Sequence, residues 1–174
     1  IVGVLLSYVG VAIVSFGASV GAAGLALLTI LIYVLIYTPL KTRTSFNTIV
    51  GAIVGAIPPL IGWVAAAGSI GRGGIILGGI LFIWQLPHFL ALAWMYKDDY
   101  EQGGFKMLPS LDASGELTAR ASVITSMCLV PLALFMSISG STHILFAIVG
   151  SILGIWVTAR SITFWRRRDR QSAK

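Results

Sequence analysis

The sequence GIILGGILFIWQLPHFLALAWMYKDDYEQGGFKMLP, residues 74–109, joins a long apolar segment directly to a cluster of charges. Its apolar part, residues 74–96, has the length of roughly 20 residues that an α-helix needs to cross the hydrocarbon core of a bilayer. Residues 97–106 contain five charged side chains, whereas all of residues 1–96 contain only Lys41, Arg43 and Arg72. The stretch therefore predicts a membrane-spanning helix that ends at a charged loop.

The composition of the whole chain indicates an integral membrane protein. Of its 174 residues, 57% are hydrophobic and 10% are charged, against about 25% charged residues in a soluble domain. The net charge of +6 is therefore interpreted through membrane topology, and no nucleic-acid partner is expected. The single cysteine, Cys128, excludes an intrachain disulfide and a cysteine metal cluster. We expect it to be a small core residue.

The two ends of the sequence are typical of a fragment. The chain begins IVGVLLSYVG, without Met and without the basic segment of a signal peptide, and it closes on FWRRRDRQSAK directly after an apolar run. We therefore expect the chain to be part of a longer protein.

Six apolar segments are separated by breaks that contain Gly, Pro or Ser, the residues that turns require. We expect all six to be helices, because the lipid interior cannot satisfy the open backbone groups of other structures, and because the segments lack the short alternation of barrel strands. The predicted fold is an all-α, polytopic transmembrane helix bundle that forms a single domain over residues 1–174. Its predicted spans are residues 1–18, 22–37, 47–66, 74–96, 120–138 and 143–165.

The basic residues predict how this bundle is oriented, because six spans make the breaks alternate between two sides of the membrane. One side receives Arg72 alone, and Arg160 lies inside the last segment near its basic end. The other side receives Lys41, Arg43, Lys97, Lys106, Arg120 and the basic residues of the segment 166–174. By the positive-inside rule this basic side is the cytoplasm or the mitochondrial matrix. All acidic residues fall there too, so the loops 38–46 and 97–119 are predicted to carry the polar chemistry at the inner face.

The first candidate site is the acidic loop, in which Asp98, Asp99 and Glu101 surround Tyr100. If the helix continues to Gln102, Asp98 and Glu101 share one helical face. A magnesium ion is typically held by one or two carboxylates together with substrate phosphates, and the pair Gly103-Gly104 would let the backbone approach a ligand closely. The alternative is a solvated loop that only ends a helix.

The second candidate site is YTPLKTRTSFNT, residues 37–48. Lys41 and Arg43 are the only charged residues in the first 71 positions, and Tyr37, Asn47 and the neighbouring threonines add hydroxyl and amide groups. Cations combined with hydroxyl donors suit a diphosphate. The alternative is an ordinary basic anchor of the positive-inside type.

The third candidate site is WQLPHF, residues 84–89, inside the fourth apolar segment. Gln85 and His88 are three residues apart and can line one helical face, and Pro87 is expected to kink the helix. An ionisable side chain inside a span indicates function, although an interhelical hydrogen bond would also explain His88. His143, at the outer end of the last segment, can reach the interface and carries no such indication.

One further segment, GAIVGAIPPLIG at residues 51–62, predicts how the helices pack. Gly51 and Gly55 form a G-x-x-x-G pattern, which allows close helix contact. The pair Pro58-Pro59 is expected to break the helix midway, and irregular backbone within a membrane normally lines a cavity.

Three stretches together, in this order and spacing, resemble the protohaem IX farnesyltransferase (haem O synthase) family of the intramembrane UbiA-type prenyltransferases. They are YTPLKTRTSFNTIVGAIVGAIPPLIGW, WQLPHFLALAW and DDYEQGGFKMLP, at residues 37–63, 84–94 and 98–109. The resemblance implies an all-α bundle of nine helices, of which this chain would cover about the third to the eighth. It also implies transfer of a farnesyl group from farnesyl diphosphate to a vinyl group of haem B. The products would be haem O, which serves terminal oxidases, and diphosphate.

The resemblance implies roles for residues of the three candidate sites. Two aspartate-rich motifs at the inner face would hold magnesium and the diphosphate. Asp98, Asp99 and Tyr100 would form the catalytic part of the second motif, with Asp99 and Asp98 as metal ligands and Gly103-Gly104 beside them. The implied diphosphate-binding residues are Lys41, Arg43, Asn47 and Lys106. The implied haem-binding residues are His88, Gln85 and Trp84.

The sequence departs from the superfamily pattern at both motifs. The commoner second motif has a further downstream aspartate, where this chain has Gly103-Gly104 and Lys106, as in the haem branch. The first motif, an Asn with two spaced Asp residues, is expected before the first apolar segment, and no acidic residue precedes Asp98. This chain alone is therefore expected to be inactive.

Other functions stay open on the residues alone. A transporter or channel would explain the broken helices and the inward charges, but no internal repeat is present and the polar residues gather at one face. A non-catalytic haem-binding membrane protein could use His88 as an axial ligand. Within the family, a prenyltransferase that acts on a quinone precursor is the alternative, and WQLPHF favours haem.

The resemblance also implies partners and a location. The expected partners are farnesyl diphosphate, haem B, membrane lipid and haem A synthase. The expected location is the inner membrane of a bacterium or a mitochondrion, with the active face toward the cytoplasm or the matrix.

Overall fold

The computed structural model describes residues 1–173, and the regular structure of these residues is helical. The helices are α1 (Val2–Gly17), α2 (Val20–Leu31), a π-helical segment (Ile32–Tyr37), α3 (Thr38–Leu40), α4 (Asn47–Ala67), α5 (Arg72–Met95), α6 (Lys97–Gln102), α7 (Leu108–Leu111), α8 (Glu116–Met127), α9 (Leu129–Ile138) and α10 (Ile144–Arg167). The predicted all-α fold is confirmed.

Most side chains of the long helices face outward and are apolar. The stretches that are long and apolar enough to cross a bilayer are Val20–Leu40, Asn47–Ala67, Arg72–Met95, Glu116–Ile138 and Ile144–Arg167, while α1 is apolar but shorter. Only 11% to 28% of the residues in their apolar windows are buried, and outward residues such as Phe16, Leu35 and Ile152 are largely exposed. A continuous apolar exterior of this kind requires lipid around it. The chain is therefore a polytopic membrane bundle, and a sixth span at α1 stays a prediction.

Helices that follow one another in the chain pack against one another in space. Helix α1 packs on α2, α2 packs on α4, and α4 packs on α5. Helix α5 then packs on α8 and α9, which both pack on α10. Small buried residues, among them Ala52, Ala93, Ala119 and Ala133, form much of the interior. Their size lets the helix backbones approach closely, as is typical of bundles in lipid.

The stretch Val20–Leu40 changes from α-helical to π-helical winding just before its last turn. Pro39 has no N–H to donate to the carbonyl four residues before it, and its ring crowds that carbonyl. The chain widens at this point into the π-helical segment Ile32–Tyr37. The hydroxyl of Thr38 donates to Tyr33 O at 2.8 Å, and the ring centroids of Tyr33 and Tyr37 are 5.1 Å apart. Segments of this kind are frequent at functional sites.

The predicted break at Pro58-Pro59 is wrong, because α4 runs without interruption from Asn47 to Ala67. The two prolines leave the carbonyls of Val54 and Gly55 without helical donors. Opening the helix further would expose more backbone groups to lipid, which can satisfy none of them. The helix therefore continues through the prolines, and α5 likewise continues through Pro87.

The G-x-x-x-G pattern of α4 does mark close contacts, but its two glycines meet different partners. A Cβ at Gly51 would lie 2.9 Å from Cε2 of Tyr37, in the preceding stretch. A Cβ at Gly55 would lie 2.0 Å from Oε1 of Gln85, on α5. The prediction of close contact is confirmed at both positions.

The interruption between α8 and α9 lies at Cys128. Pro131 cannot donate to the carbonyl of Met127, so the regular winding stops just before it. The side chain of Cys128 is exposed, and its thiol donates to Ile124 O at 3.5 Å. The prediction that Cys128 is a core residue is wrong. Lipid is as apolar as a protein core, so a small apolar side chain is equally at home on the outside of the bundle.

Candidate functional site

Three segments of the chain meet at one end of the bundle, which we call the charged end: residues 41–47, 96–115 and 168–173. The backbone N–H of Lys106 donates to Lys41 O at 2.8 Å, and Arg170 of the last segment pairs with Asp98. These contacts confirm that the basic loop and the acidic loop lie at the same end. The side of the membrane on which this end lies stays a prediction.

Asn47, the first residue of α4, connects the two loops from the inside. Its side chain is only 1% exposed. Its amide nitrogen Nδ2 donates to Thr44 O at 2.7 Å and to Lys106 O at 2.8 Å, so both amide hydrogens are used. A diphosphate ligand must reach an open surface, and this buried amide does not. The predicted role of Asn47 as a direct ligand therefore does not fit its position.

Lys41, Arg43 and Lys106 carry their charges at this end without a carboxylate partner. No Asp or Glu among residues 1–173 lies within ion-pair distance of any of these cations. The Nζ of Lys41 lies over the rings of Tyr37 and Tyr33, 4.5 and 5.5 Å from their centroids, and the ring faces attract the ammonium group. The side chains of Arg43 and Lys106 are exposed. Cations that the protein leaves unneutralised suit a highly charged anion such as a diphosphate.

The acidic residues lie on α6, a short helix that a one-residue turn separates from α5. Lys97 and Glu101 pair with each other at 4.0 Å. Asp98 pairs with Arg170, and Asp99 is exposed and has no ion-pair partner within residues 1–173. Asp98 and Glu101 therefore interact with separate cations. Asp99 is the carboxylate of α6 that is available to a ligand.

The turn after α6 brings Tyr100 and Phe105 together. Gly104 has a φ of 72°, which is a left-handed conformation that costs little for glycine and more for any residue with a Cβ. The N–H of Phe105 donates to Tyr100 O at 2.9 Å, and the two rings meet edge to face with centroids 6.0 Å apart. This turn carries the chain back so that Lys106 reaches Lys41.

The carboxylates of α6 fit a magnesium ion only when a substrate completes the site. In the part of the chain that the structure describes, no group of three or more His, Cys, Asp and Glu side chains could hold a metal. Asp99 is free and Asp98 is shared with Arg170. Magnesium is commonly held by one or two carboxylates together with phosphate oxygens and water. Asp99, with Asp98 assisting, would therefore hold such an ion only together with a diphosphate.

His88 lies on the wall of a cavity between α5, α8 and α10. Its imidazole stacks on Trp84, with ring centroids 5.3 Å apart and planes at 10°. The cavity has a volume of about 230 Å³, and Trp156 and Arg160 of α10 also line it. An apolar cavity of about 470 Å³ is also lined by Trp84, Trp156 and Val157, so the two cavities adjoin. Aromatic walls with one imidazole and one guanidinium suit a flat apolar ligand that carries a carboxylate.

Gln85 does not line this cavity. Its side chain is 6% exposed, and its amide lies against Gly55 of α4. Residues three apart in a helix point about 60° away from each other, which is enough to direct Gln85 toward α4 while His88 faces α10. The prediction that Gln85 and His88 line one face is therefore wrong. Gln85 packs between α4 and α5.

Arg160 also lines this cavity. The sequence had indicated it only as a charge near the end of the last segment. Trp156, Arg160 and Phe164 follow one another at intervals of four residues, so they lie on one face of α10. All three line the cavity that contains His88. This spacing was the signal in the sequence, and it becomes informative only when the facing helix is known.

Asp112, at the charged end, is another residue that no motif had indicated. Its carboxylate accepts hydrogen bonds from the N–H and the hydroxyl of Thr118, at 2.8 and 3.0 Å. Burial acts to raise the pKa of Asp112, but hydrogen bonds from Thr118, Ser114 and Gly115 outweigh it, and the pKa lies below its usual value. The carboxylate therefore stays ionised at neutral pH and stabilises the N-terminus of α8.

Comparison with known proteins assigns this chain to a family, because the UbiA prenyltransferase family matches it over residues 1–174. The chain belongs to the UbiA prenyltransferase family. The resemblance that the three quoted stretches indicated is thereby confirmed. No solved structure matches the chain.

Several curated relatives of this UbiA family member share one name, protoheme IX farnesyltransferase. The protoheme IX farnesyltransferase of Solibacter usitatus is 43% identical over 154 residues, which cover 88% of this chain and 53% of the relative. The mitochondrial protoheme IX farnesyltransferases of Arabidopsis thaliana and Gibberella zeae are 38% and 35% identical, over 68% and 94% of this chain and 27% and 35% of their own lengths. The chain thus spans about half or less of the length of these relatives.

Proposed function

We propose that the full-length protein transfers the farnesyl group of farnesyl diphosphate to a vinyl group of haem B and yields haem O and diphosphate. The observation that carries this proposal is the charged end, where two joined loops hold Lys41, Arg43 and Lys106 without carboxylate partners, near the available carboxylate of Asp99. Relatives named protoheme IX farnesyltransferase, at 35% to 43% identity, support the choice of substrates.

The three cations would bind the diphosphate, and Asp99 with Asp98 would hold the divalent metal, expected to be magnesium, that UbiA prenyltransferases generally use with diphosphate substrates. When bound, the ion would neutralise charge that develops on the leaving diphosphate. Tyr100, which follows Asp99 on α6, would help to exclude water from the allylic cation that remains when the C–O bond breaks. Asn47 would act indirectly, through the loop that it holds.

The haem would lie against the aromatic wall formed by Trp84 and His88, with the adjoining apolar cavity around its ring. Arg160 would pair with a haem carboxylate, because a guanidinium and a carboxylate form a strong charge-assisted contact. His88 would bind the iron or orient the ring so that the vinyl carbon meets the allylic cation. A C–C bond would then form between the allylic cation and the vinyl carbon, and water would add to the carbocation left beside the haem ring and release a proton, which leaves a hydroxyl group there.

The proposed location follows from the distribution of charge. We expect the charged end to face the cytoplasm of a bacterium or the matrix of a mitochondrion, in the inner membrane in either case. Haem A synthase, which would use haem O, is the expected partner protein.

The experiment that tests this function identifies the acceptor. Purified full-length protein in lipid receives farnesyl diphosphate, magnesium and two competing acceptors, haem B and a phenolic quinone precursor. We expect mass spectrometry to detect haem O and no prenylated phenol, and we expect a chelator to abolish the product. A prenylated phenol as the sole product would show that the acceptor is a quinone precursor and not haem. Binding of haem without any product would show a non-catalytic haem-binding protein.

A further inference from the structure

We propose that Asn47 is a positioning residue, a clasp that ties the loop 41–46 to the loop 103–107 and so sets the spacing between the cations that would bind the diphosphate. Its effect on substrate binding rests on the proposed function. The clasp itself is a property of the fold.

The donors of Asn47 are fully engaged within the protein. Nδ2 donates to Thr44 O at 2.7 Å, in the loop that precedes α4, and to Lys106 O at 2.8 Å, in the other loop. Because the side chain is 1% exposed, water does not compete for these bonds. A carbonyl that loses its donor at this depth bears the full cost of its desolvation.

Apart from Asn47, few hydrogen bonds connect the loop 41–46 to the loop 103–107. Within residues 1–173, the one other hydrogen bond between these two loops runs from the N–H of Lys106 to Lys41 O, at 2.8 Å. The backbone of Lys106 is thus held at its N–H by Lys41 and at its carbonyl by Asn47. The side chains of Lys41 and Lys106 therefore leave from two points whose separation Asn47 helps to set.

The chemistry of the site requires an asparagine. One short side chain must donate two hydrogens to two carbonyl oxygens. An amide has these two hydrogens, and an ionised carboxylate of the same shape has none. The amide oxygen Oδ1 of Asn47 is buried without a protein hydrogen-bond partner, so only the amide nitrogen connects the two loops.

Helix capping does not explain this residue. A capping side chain accepts a hydrogen bond from an N–H of the first helical turn. Asn47 instead donates to two carbonyls outside α4, and the residue before it makes no side-chain cap. Its bonds therefore stabilise the approach of two loops and not the start of a helix.

The test combines a distance with an affinity, in the full-length protein reconstituted in lipid. Spin labels at Thr42→Cys and Gln102→Cys, both exposed positions, report the separation between the basic loop and the end of α6 in a Cys128→Ser background. Asn47→Leu and Asn47→Asp keep the branched arrangement of the side chain's heavy atoms and remove its amide donors. Thr48→Val is the matched control, because Thr48 is the next buried residue and its hydroxyl has no protein partner.

We expect a narrow distance distribution in the parent protein and in Thr48→Val, and a broad one in both Asn47 variants. In unlabelled protein, these two variants should bind inorganic diphosphate with magnesium about tenfold more weakly, as the loss of two hydrogen bonds implies. The KM for farnesyl diphosphate should rise more than kcat falls. If neither variant accumulates in the membrane, Asn47→Ser, which keeps one donor, carries the same test.

An unchanged distance distribution in the Asn47 variants overturns the clasp. A broad distribution with unchanged affinity for diphosphate overturns its positioning role. Because the distance needs no substrate, failure of the proposed function is distinguishable: the parent protein would then make no haem O, while the distances would still report the clasp.

Discussion

Asp98 and Asp99 are neighbours in the sequence, but their carboxylates have different surroundings. Asp98 pairs with Arg170, whereas Asp99 is exposed and free of any cation in the described part of the chain. The carboxylate that already has a partner attaches α6 to the end of α10. Asp99, which has no partner, is free for a metal ion or a substrate, whereas Asp98 would assist in holding a metal only while it also contacts Arg170.

Asp99→Asn in the full-length protein should lower turnover at least tenfold, which corresponds to about 1.4 kcal/mol of transition-state stabilisation. The amide has the same shape but no negative charge with which to hold a metal-bound diphosphate. Haem O formation in reconstituted membranes is the measurement, and the affinity for haem B should change little. Glu101→Gln is the matched control on the same helix, because Glu101 pairs with Lys97 at 4.0 Å. Normal turnover in Asp99→Asn would mean that the acidic segment is only a solvated loop.

His88→Ala should impair haem O formation by about 10²-fold, because a shift of about 1 Å in a reacting group can cost that much in rate. The substitution removes the imidazole that stacks on Trp84 at 5.3 Å and lines the cavity. Binding of farnesyl diphosphate and the amount of protein in the membrane should be unchanged.

The control for this variant is His143→Ala, because the imidazole of His143 accepts a hydrogen bond from the N–H of Leu145 at the start of α10, at 3.4 Å, and lies outside the cavity. That variant should retain normal turnover. Haem O at the normal rate in His88→Ala would remove the haem assignment from this cavity, and loss of the protein from the membrane would identify His88 as a structural residue.

At the scale of the helices, prolines produce different outcomes that depend on their surroundings. Pro39 precedes the end of its stretch and widens it into a π-helical segment, and Pro131 is preceded by an interruption at Cys128. Pro58 and Pro59 lie inside α4, which stays continuous. All four remove the same hydrogen-bond donor. The missing donor alone therefore does not decide whether a helix keeps its regular winding.

The contact between α4 and α5 depends on the absence of a side chain at Gly55. Gly55→Ala should destabilise the full-length protein by about 1–3 kcal/mol, as is usual when atoms are forced into a packed interior. The added Cβ would lie 2.0 Å from Oε1 of Gln85, so Gln85 or the helix must move. Thermal unfolding in detergent micelles is the measurement.

Two further variants make this prediction specific. Gly62→Ala lies on the same helix with no atom within 4 Å of the new Cβ, so it should not lower the unfolding temperature, and helix propensity favours the alanine. The double variant Gly55→Ala with Gln85→Ala should recover most of the lost stability. Equal effects of Gly55→Ala and Gly62→Ala would show that helix propensity, and not this contact, sets the result.

For the whole molecule, the dominant feature is the concentration of charge at one end of the bundle. Contacts between residues 41–47, 96–115 and 168–173 assemble this end from three distant parts of the chain. Arg72 begins α5, while the acidic helix α6 follows the far end of α5. A membrane-spanning α5 therefore separates the two by the thickness of a bilayer.

Cysteine labelling tests the predicted topology. In a Cys128→Ser background of the full-length protein, an impermeant thiol reagent applied to intact cells should label Ser69→Cys and leave Gln102→Cys unlabelled. Both positions are exposed, and both should react after the membrane is permeabilised. The physical reason is the excess of basic residues at the charged end, which the positive-inside rule retains on the inner side. Labelling of Gln102→Cys from outside, or no labelling of Ser69→Cys, would contradict the predicted topology.

By itself the sequence determined the class of the molecule and its family. Long apolar segments must become helices in lipid, since no other open structure satisfies the backbone there. This is why the predicted segment 47–66 and α4, Asn47–Ala67, nearly coincide. The three motifs also indicated the family, because each motif is a local pattern that can be recognised without knowing what it faces.

Only the tertiary structure decided what individual polar side chains do. Asn47 turns inward to Lys106, 59 residues away, and Asp98 meets Arg170, 72 residues away. Gln85 lies against α4, while Arg160 lines the same cavity as His88. Helical periodicity limits where a side chain can point, but the choice between neighbouring directions depends on which backbone from elsewhere in the chain lies there. That information is not local, because it comes from the packing of all the helices together.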